Sequence, residues 1–320
     1  MEENTEQRVD LTLFSGKIQE LKDQIASVIV GQEQTVDLVL TAILANGHVL
    51  IEGVPGVAKT LLARLIDADF SRIQFTPDLM PSDVLGTTVF NMKTNEFDFH
   101  QGPIFADIVL VDEINRAPAK TQAALFEVME ERQISIDGIT HKMGELYTIL
   151  ATQNPVEQEG TYKLPEAQLD RFLMKITMDY PSLEEEVNIL ERHHTNASLI
   201  KLDDIKPAIT KEELLSLRAL MNQVFVDRTL LQYIALIVQQ TRTSKAVYLG
   251  ASPRASVAML QSSKAYALLQ GRDFVTPEDI KFVAPYVLQH RLILTAEAEM
   301  EGYSPVKVTQ RLIDKVEVPK

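Results

Sequence analysis

The segment Gly53-Val-Pro-Gly-Val-Ala-Lys-Thr60 limits what this chain can be more than any other. It lies directly after the apolar run His48-Val-Leu-Ile51 and directly before a run from Leu61 to Ala68 that reads as helix. A glycine-rich turn between a strand and a helix start presents backbone N–H groups and the positive end of a helix dipole to an anion. Within it, Lys59 is placed to reach terminal phosphates and Thr60 to hold a magnesium ion. Ala58 stands where the strict pattern has glycine, the residue that lets the backbone approach phosphate without a side chain in between. The same residues also read as a strand-turn-helix corner punctuated by Gly and Pro, so a second element must decide.

That element is Asp107-Ile-Val-Leu-Val-Asp112-Glu113, a buried strand ending in two adjacent carboxylates. In a sheet that also carries a phosphate loop, Asp112 is placed to serve the metal and Glu113 to activate an attacking water. Arg72-Ile-Gln-Phe75, Tyr147-Thr-Ile-Leu-Ala-Thr152 and Phe172-Leu-Met-Lys-Ile-Thr177 are further apolar runs. They are continuous rather than alternating, which predicts strands covered on both faces of a parallel α/β sheet. Val89-Phe-Asn with Phe97-Asp-Phe-His, and Gln133-Ile-Ser-Ile with Ile139-Thr-His-Lys around Asp137-Gly138, predict two hairpins. The first 45 residues read as helix with a break at Val30-Gly31-Gln32-Glu33. After Tyr180-Pro181 the chain reads as entirely helical, with capping signals at Ser182 and Glu185, Thr210 and Glu213, and Thr276 and Asp279.

A length of 320 residues suits two domains with separate cores, and the expected division is 1–180 and 181–320. Acidic residues outnumber basic ones 45 to 31, a net charge of -14, the wrong sign for a surface that grips nucleic acid as a whole. The absence of cysteine excludes disulfides, thiolate metal sites and thiol catalysis. The N-terminus MEENTEQRVD is polar, and no apolar run approaches the ~20 residues of a membrane span, so no membrane insertion and a cytoplasmic address are expected.

Four segments in order resemble the MoxR group of AAA+ ATPases: Gly53-Val-Pro-Gly-Val-Ala-Lys-Thr60, Gly102-Pro-Ile-Phe-Ala-Asp-Ile-Val-Leu-Val-Asp-Glu-Ile-Asn-Arg-Ala-Pro118, Ala151-Thr-Gln-Asn-Pro155 and Leu164-Pro-Glu-Ala-Gln-Leu-Asp-Arg-Phe172. The likeness runs from about Val30 to the C-terminal bundle and includes the variant loop with Ala58. It implies a P-loop AAA+ core, a parallel five-stranded sheet flanked by helices, followed by a smaller all-α lid. The ligands implied are ATP and Mg²⁺, with Val30 and Gly31 near the adenine. Gly53, Val54, Pro55, Gly56, Val57, Ala58, Lys59, Thr60 and Leu61 would surround the phosphates, and Thr60 and Asp112 would hold the metal.

Catalytic roles carried over by the resemblance fall on Glu113 and Lys59, on Asn154 as sensor 1 and on Arg254 as sensor 2. Arg171 matches the arginine finger that reaches a neighbouring subunit's nucleotide, with Arg116 and Arg132 as alternatives. The hairpins near 87–103 and 131–147 look like the helix-2 and pre-sensor-1 inserts of this branch, which project toward the pore or partner face of a ring. A homo-hexamer, a von Willebrand factor A domain partner and a client protein are further implications. Two other readings stand beside this one. A nucleic-acid motor would use Lys93, Lys142 and Arg132. A nucleotide-gated scaffold with little hydrolysis would draw on Ala58 and on the short segment, eleven residues, between Thr60 and Arg72. The neighbouring His193 and His194 point apart on a helix, and Glu184-Glu185-Glu186 reads as a solvated face.

Overall fold

The structure, a computed structural model, describes residues 12–28, 32–53, 66–153, 162–178, 182–194 and 207–319. They divide into two compact units, one of Ile25–Val36 and Asn46–Lys211, the other of Met1–Gln24, Asp37–Ala45 and Glu212–Lys320.

The first unit contains the strands β1 (Val49–Gly53), β2 (Ile66–Asp67), β3 (Phe70–Gln74), β4 (Gly86–Asn91), β5 (Glu96–Gln101), β6 (Ile108–Asp112), β7 (Gln133–Ile136), β8 (Ile139–Lys142), β9 (Thr148–Gln153), β10 (Met174–Met178) and β11 (Ile209–Thr210). Five of them form a parallel sheet in the order β10-β1-β9-β6-β3. They are the five strands that the apolar runs predict. The runs are continuous because the central strands have no wet face: β6 is buried at every position and β9 at all but its last. Leu50, Val109, Ile149 and Phe172 meet Phe126 and Met129 of the helix Ala119–Glu131 in one core. Phe126 and Phe172 contact edge to face at 5.9 Å.

Both hairpins form, β4 with β5 and β7 with β8. In the second, Asp137 (φ 51) and Gly138 (φ 79) both take the left-handed conformation that a tight two-residue turn requires. The helical reading of residues 61–68 fails at its end. Ile66 and Asp67 are extended as β2 and pair in parallel with Ile209 and Thr210 of β11, burying Ile66. Residues 61–65 lie outside the described residues.

The N-terminal edge of the sheet is closed by polar side chains. His48 Nδ1 accepts the Ile149 N–H at 2.9 Å, which leaves the ring proton on Nε2 to donate to the Met129 carbonyl at 3.2 Å. Arg132 donates to the carbonyls of Asn46 (2.6 Å) and Tyr147 (3.3 Å), with its guanidinium carbon 5.9 Å from the Tyr147 ring centroid. Arg132 is therefore a brace between the starts of β1 and β9, a use that neither the trans-acting nor the nucleic-acid reading anticipates. Burial drives the Tyr147 phenol far above its ordinary range and lowers the Arg132 guanidinium, each partly opposed by the other.

In the second unit the helices Arg228–Thr243, Pro253–Leu269, Pro277–Leu288 and Pro305–Asp314 pack through faces such as Leu230, Tyr233, Ile234, Ile237 and Val238. Thr276 and Asp279 form the predicted capping box, as Ser182 and Glu185 do in the first unit. The C-terminal part is not wholly helical, since Val247–Leu249 (β12) and Ile293–Leu294 (β13) pair antiparallel. Two stretches preceding the sheet belong to this unit: Lys22 pairs with Asp37 at 3.0 Å, Lys17 with Glu213, and Arg218 donates to the Ile43 carbonyl. Among the described residues no helix is long and apolar enough to cross a membrane.

The Tyr147 hydroxyl is buried with no hydrogen-bond partner among the described residues. An unmade hydrogen bond of this kind costs about 1–3 kcal/mol. Tyr147→Phe is therefore expected to leave the thermal midpoint unchanged or to raise stability by about 1 kcal/mol. A loss of stability on denaturant melting would contradict this accounting.

Candidate active site

Ligands of open parallel sheets collect beyond the carboxyl ends of the strands. At that end the register aligns β1, β9 and β6: Ile51 lies opposite Thr152, and Val111 opposite Ala151. Gly53 closes β1 at φ +136, where a Cβ would stand 2.5 Å from the Met178 carbonyl oxygen of β10. Only glycine leaves the sheet this closely against its neighbour.

Asp112 ends β6 with its carboxylate almost enclosed. Its Oδ2 accepts from Arg72 Nε at 2.7 Å and its Oδ1 from the Thr152 hydroxyl at 3.2 Å. That hydroxyl also accepts the Glu113 backbone N–H at 3.0 Å, so one buried side chain on β9 holds both the last residue of β6 and the acid that follows it. Glu113 is left-handed (φ 56, ψ 50) and opens a short 3-10 turn, Ile114–Arg116. A non-glycine residue in that conformation is held there by its surroundings. Here the Thr152 bond holds its N–H, and the buried Gln122 amide donates to the Ile114 and Ala117 carbonyls that follow. The Glu113 carboxylate meets Arg116 Nε at 2.8 Å. Asn115 is buried, and its carbonyl accepts from Tyr162 N at 2.7 Å. The result is a carboxylate pair on a rigid mount, one acid enclosed and the other turned out of the strand.

The other expected site residues are distributed as follows. Val30, Gly31, Val54, Pro55, Gly56, Val57, Ala58, Lys59, Thr60, Leu61 and Asn154 lie outside the described residues. Arg171 donates to the Phe126 carbonyl at 2.9 Å and pairs with Glu130, both on the helix Ala119–Glu131. Arg254 belongs to the second unit, exposed in the first turn of the helix Pro253–Leu269. Sequence reasoning missed Thr152 and Arg72. A hydroxyl at the end of a buried apolar run was the available signal for Thr152. For Arg72 there was none, because its partner depends on which strand lies beside β3.

A family profile described as "ATPase family associated with various cellular activities (AAA)" matches residues 48–174, and one described as "AAA lid domain" matches 239–314. The chain is 44% identical over 310 residues to Chaperone MoxR1 of Mycobacterium tuberculosis, covering 93% of this chain and 81% of that one. It belongs to the MoxR family of AAA+ ATPases. It is also 47% identical over 304 residues to the uncharacterized protein YeaC of Bacillus subtilis, covering 93% of each. The crystal structure of a protein assigned as an ATPase from Cytophaga hutchinsonii superposes with a TM-score of 0.88 at 41% identity over 97% of both chains. The AAA profile thus spans β1, β3, β6 and β9 and reaches the first residue of β10, and with them every residue of the MoxR chain that holds the acid pair.

Thr152→Val keeps the shape of the side chain and removes both of its bonds, leaving the Glu113 N–H without its acceptor. The expected outcome is about 1–3 kcal/mol of lost stability and about a tenfold fall in ATP turnover, one order of magnitude per 1.36 kcal/mol of misplaced charge. Thr152→Ser restores both bonds and should restore both readouts. Equal behaviour of the two variants in denaturant melts and phosphate-release assays would refute the positioning role.

Proposed function

We propose that this protein hydrolyses ATP and couples the hydrolysis to remodelling of other proteins. The observation that carries the reading is the pair Asp112 and Glu113, fixed by Thr152 at the strand ends beside Gly53. Asp112 is fixed through Oδ1 by Thr152, while its Oδ2 faces the exposed Arg72 guanidinium, a counter-charge that a metal ion can replace. Glu113 is swung out by its left-handed backbone to where a water can be activated.

Magnesium, when bound, draws charge from the terminal phosphates and orients them. Asp112 and Thr60 would hold it, and their oxygens suit a hard cation. Among the described residues no group of three or more His, Cys, Asp or Glu could form a metal cage. An ion shared between one carboxylate, one hydroxyl, water and phosphate oxygens needs none. Glu113 takes the proton of the attacking water while Asn154 orients that water. Lys59 and Arg254 balance the charge that develops on the γ-phosphate. Arg171 would act on the nucleotide of a neighbouring copy in a ring of six, leaving its Glu130 contact to do so.

The remodelling role, a von Willebrand factor A domain partner, a client protein and a cytoplasmic site of action rest on the family resemblance. The word chaperone in the name of the Mycobacterium tuberculosis relative supports it. Lys93 shares its hairpin with Glu96 and Asp98, Lys142 shares the other with Asp137, and Arg132 is committed to backbone carbonyls, so nucleic acid is not the favoured partner.

Glu113→Gln tests the assignment. It should bind ATP within about threefold of the parent, while turnover falls by about 10²-fold or more, the usual contribution of a general base. Calorimetry and phosphate release measure the two. A variant that still hydrolyses at the parent rate removes Glu113 from the reaction, and a parent chain with no turnover removes the function.

A further inference from the structure

The second unit contains a cleft of ≈ 430 Å³ whose ten lining residues include Lys245, Arg311 and Lys315 and no Asp or Glu. In a chain with 45 acidic residues against 31 basic ones, a wall with three cations and no carboxylate runs against the composition. Among the described residues none of the three forms an ion pair. Arg311 is also pre-oriented: its guanidinium carbon lies 4.4 Å from the centroid of the Tyr303 ring. That cation–π contact holds the guanidinium over the ring beside the cleft.

A purely structural account is that these cations offset helix dipoles, since Arg311 lies in the last turn of Pro305–Asp314, Lys315 caps it, and Lys245 follows Arg228–Thr243. Each helix end carries roughly half a negative charge. Two such ends leave about two of the three positive charges unbalanced.

We propose that this cleft binds a compact phosphate-bearing anion. The Arg311 fork matches two phosphate oxygens, and the two lysines add point charges, Lys315 from the end of the same helix and Lys245 from beyond the helix Arg228–Thr243. Ser244 supplies a hydroxyl, and Leu312 an apolar surface for an organic carrier. The volume lies in the range of small-molecule sites, roughly 300–1,000 Å³. No residue of the sheet unit takes part, so the site is independent of the ATP reading.

Inorganic pyrophosphate and glucose 6-phosphate are suitable probes. The measurement is calorimetry at low salt on the full chain carrying Lys59→Ala, which takes the phosphate loop's lysine out of the comparison. One pyrophosphate per chain is expected, bound at least tenfold more weakly when Lys245→Gln, Arg311→Gln and Lys315→Gln are added. Raised ionic strength should weaken it as well. Competition by glucose 6-phosphate assigns the phosphate to an organic carrier, and its failure to compete assigns it to an inorganic one. Should the combined variant not fold, Arg311→Gln alone should weaken binding at least threefold. Absence of pyrophosphate binding, or equal binding by parent and variant, overturns the site.

Discussion

The burial of β6 on both faces sets the terms for the rest of the sheet. A strand with no wet side cannot carry an ionised group along its length, since an unpaired charge there has nothing to replace its water. Its acids are therefore confined to its two ends, and the C-terminal end is also where the neighbouring strands β3 and β9 finish. Asp112 and Glu113 are brought to the site by the same constraint that makes the core. The hydroxyl of Thr152 completes the arrangement because β9 lies beside β6 with Val111 opposite Ala151, so the next residue on each strand meets across the pair.

The opposite edge of the sheet shows what polar groups do when they only hold structure. His48 and Arg132 spend their hydrogen-bonding capacity on the backbone carbonyls and an N–H of Asn46, Met129, Tyr147 and Ile149. These are backbone groups at the starts of the strands and near the end of the helix Ala119–Glu131, where ladder and helix bonds give out. At the site edge the Arg72 side chain is 61% exposed, so water can replace it on Asp112 at little cost.

Local rules made much of this readable in advance. Continuous apolar runs marked all five strands, and Asp137-Gly138 marked a turn whose two residues both have positive φ. The strand-end acids were legible because their meaning follows from order along one chain segment. What escaped depends on neighbours that only the fold chooses. The end of the helical run before Ala68 was missed because Ile66 and Asp67 find their partners in Ile209 and Thr210, far along the chain. Arg171 has the carboxylates of Asp170 and Glu166 close by in sequence, yet it pairs with Glu130 on the helix Ala119–Glu131. The stretch Asp37–Ala45 joins the C-terminal helices through side chains such as Arg218, a grouping that periodicity along its own helix does not express.

The two aspartates that bracket β6 separate structure from function within one strand. Asp107, just before Ile108, receives the Lys211 ammonium at 2.7 and 2.8 Å on its two oxygens and the Asp69 N–H at 3.2 Å. Its donors fill both oxygens, and the Lys211 side chain is about half as exposed as that of Arg72, 34% against 61%. Asp112 at the other end is as deeply enclosed, yet only Oδ1 is committed to a buried donor, Thr152. Its Oδ2 faces a guanidinium that solvent already reaches. A carboxylate oxygen balanced by an exchangeable cation is prepared for another cation in the same place, which Asp107 is not. Enclosure alone therefore does not mark the functional acid of this strand; the mobility of its counter-charge does.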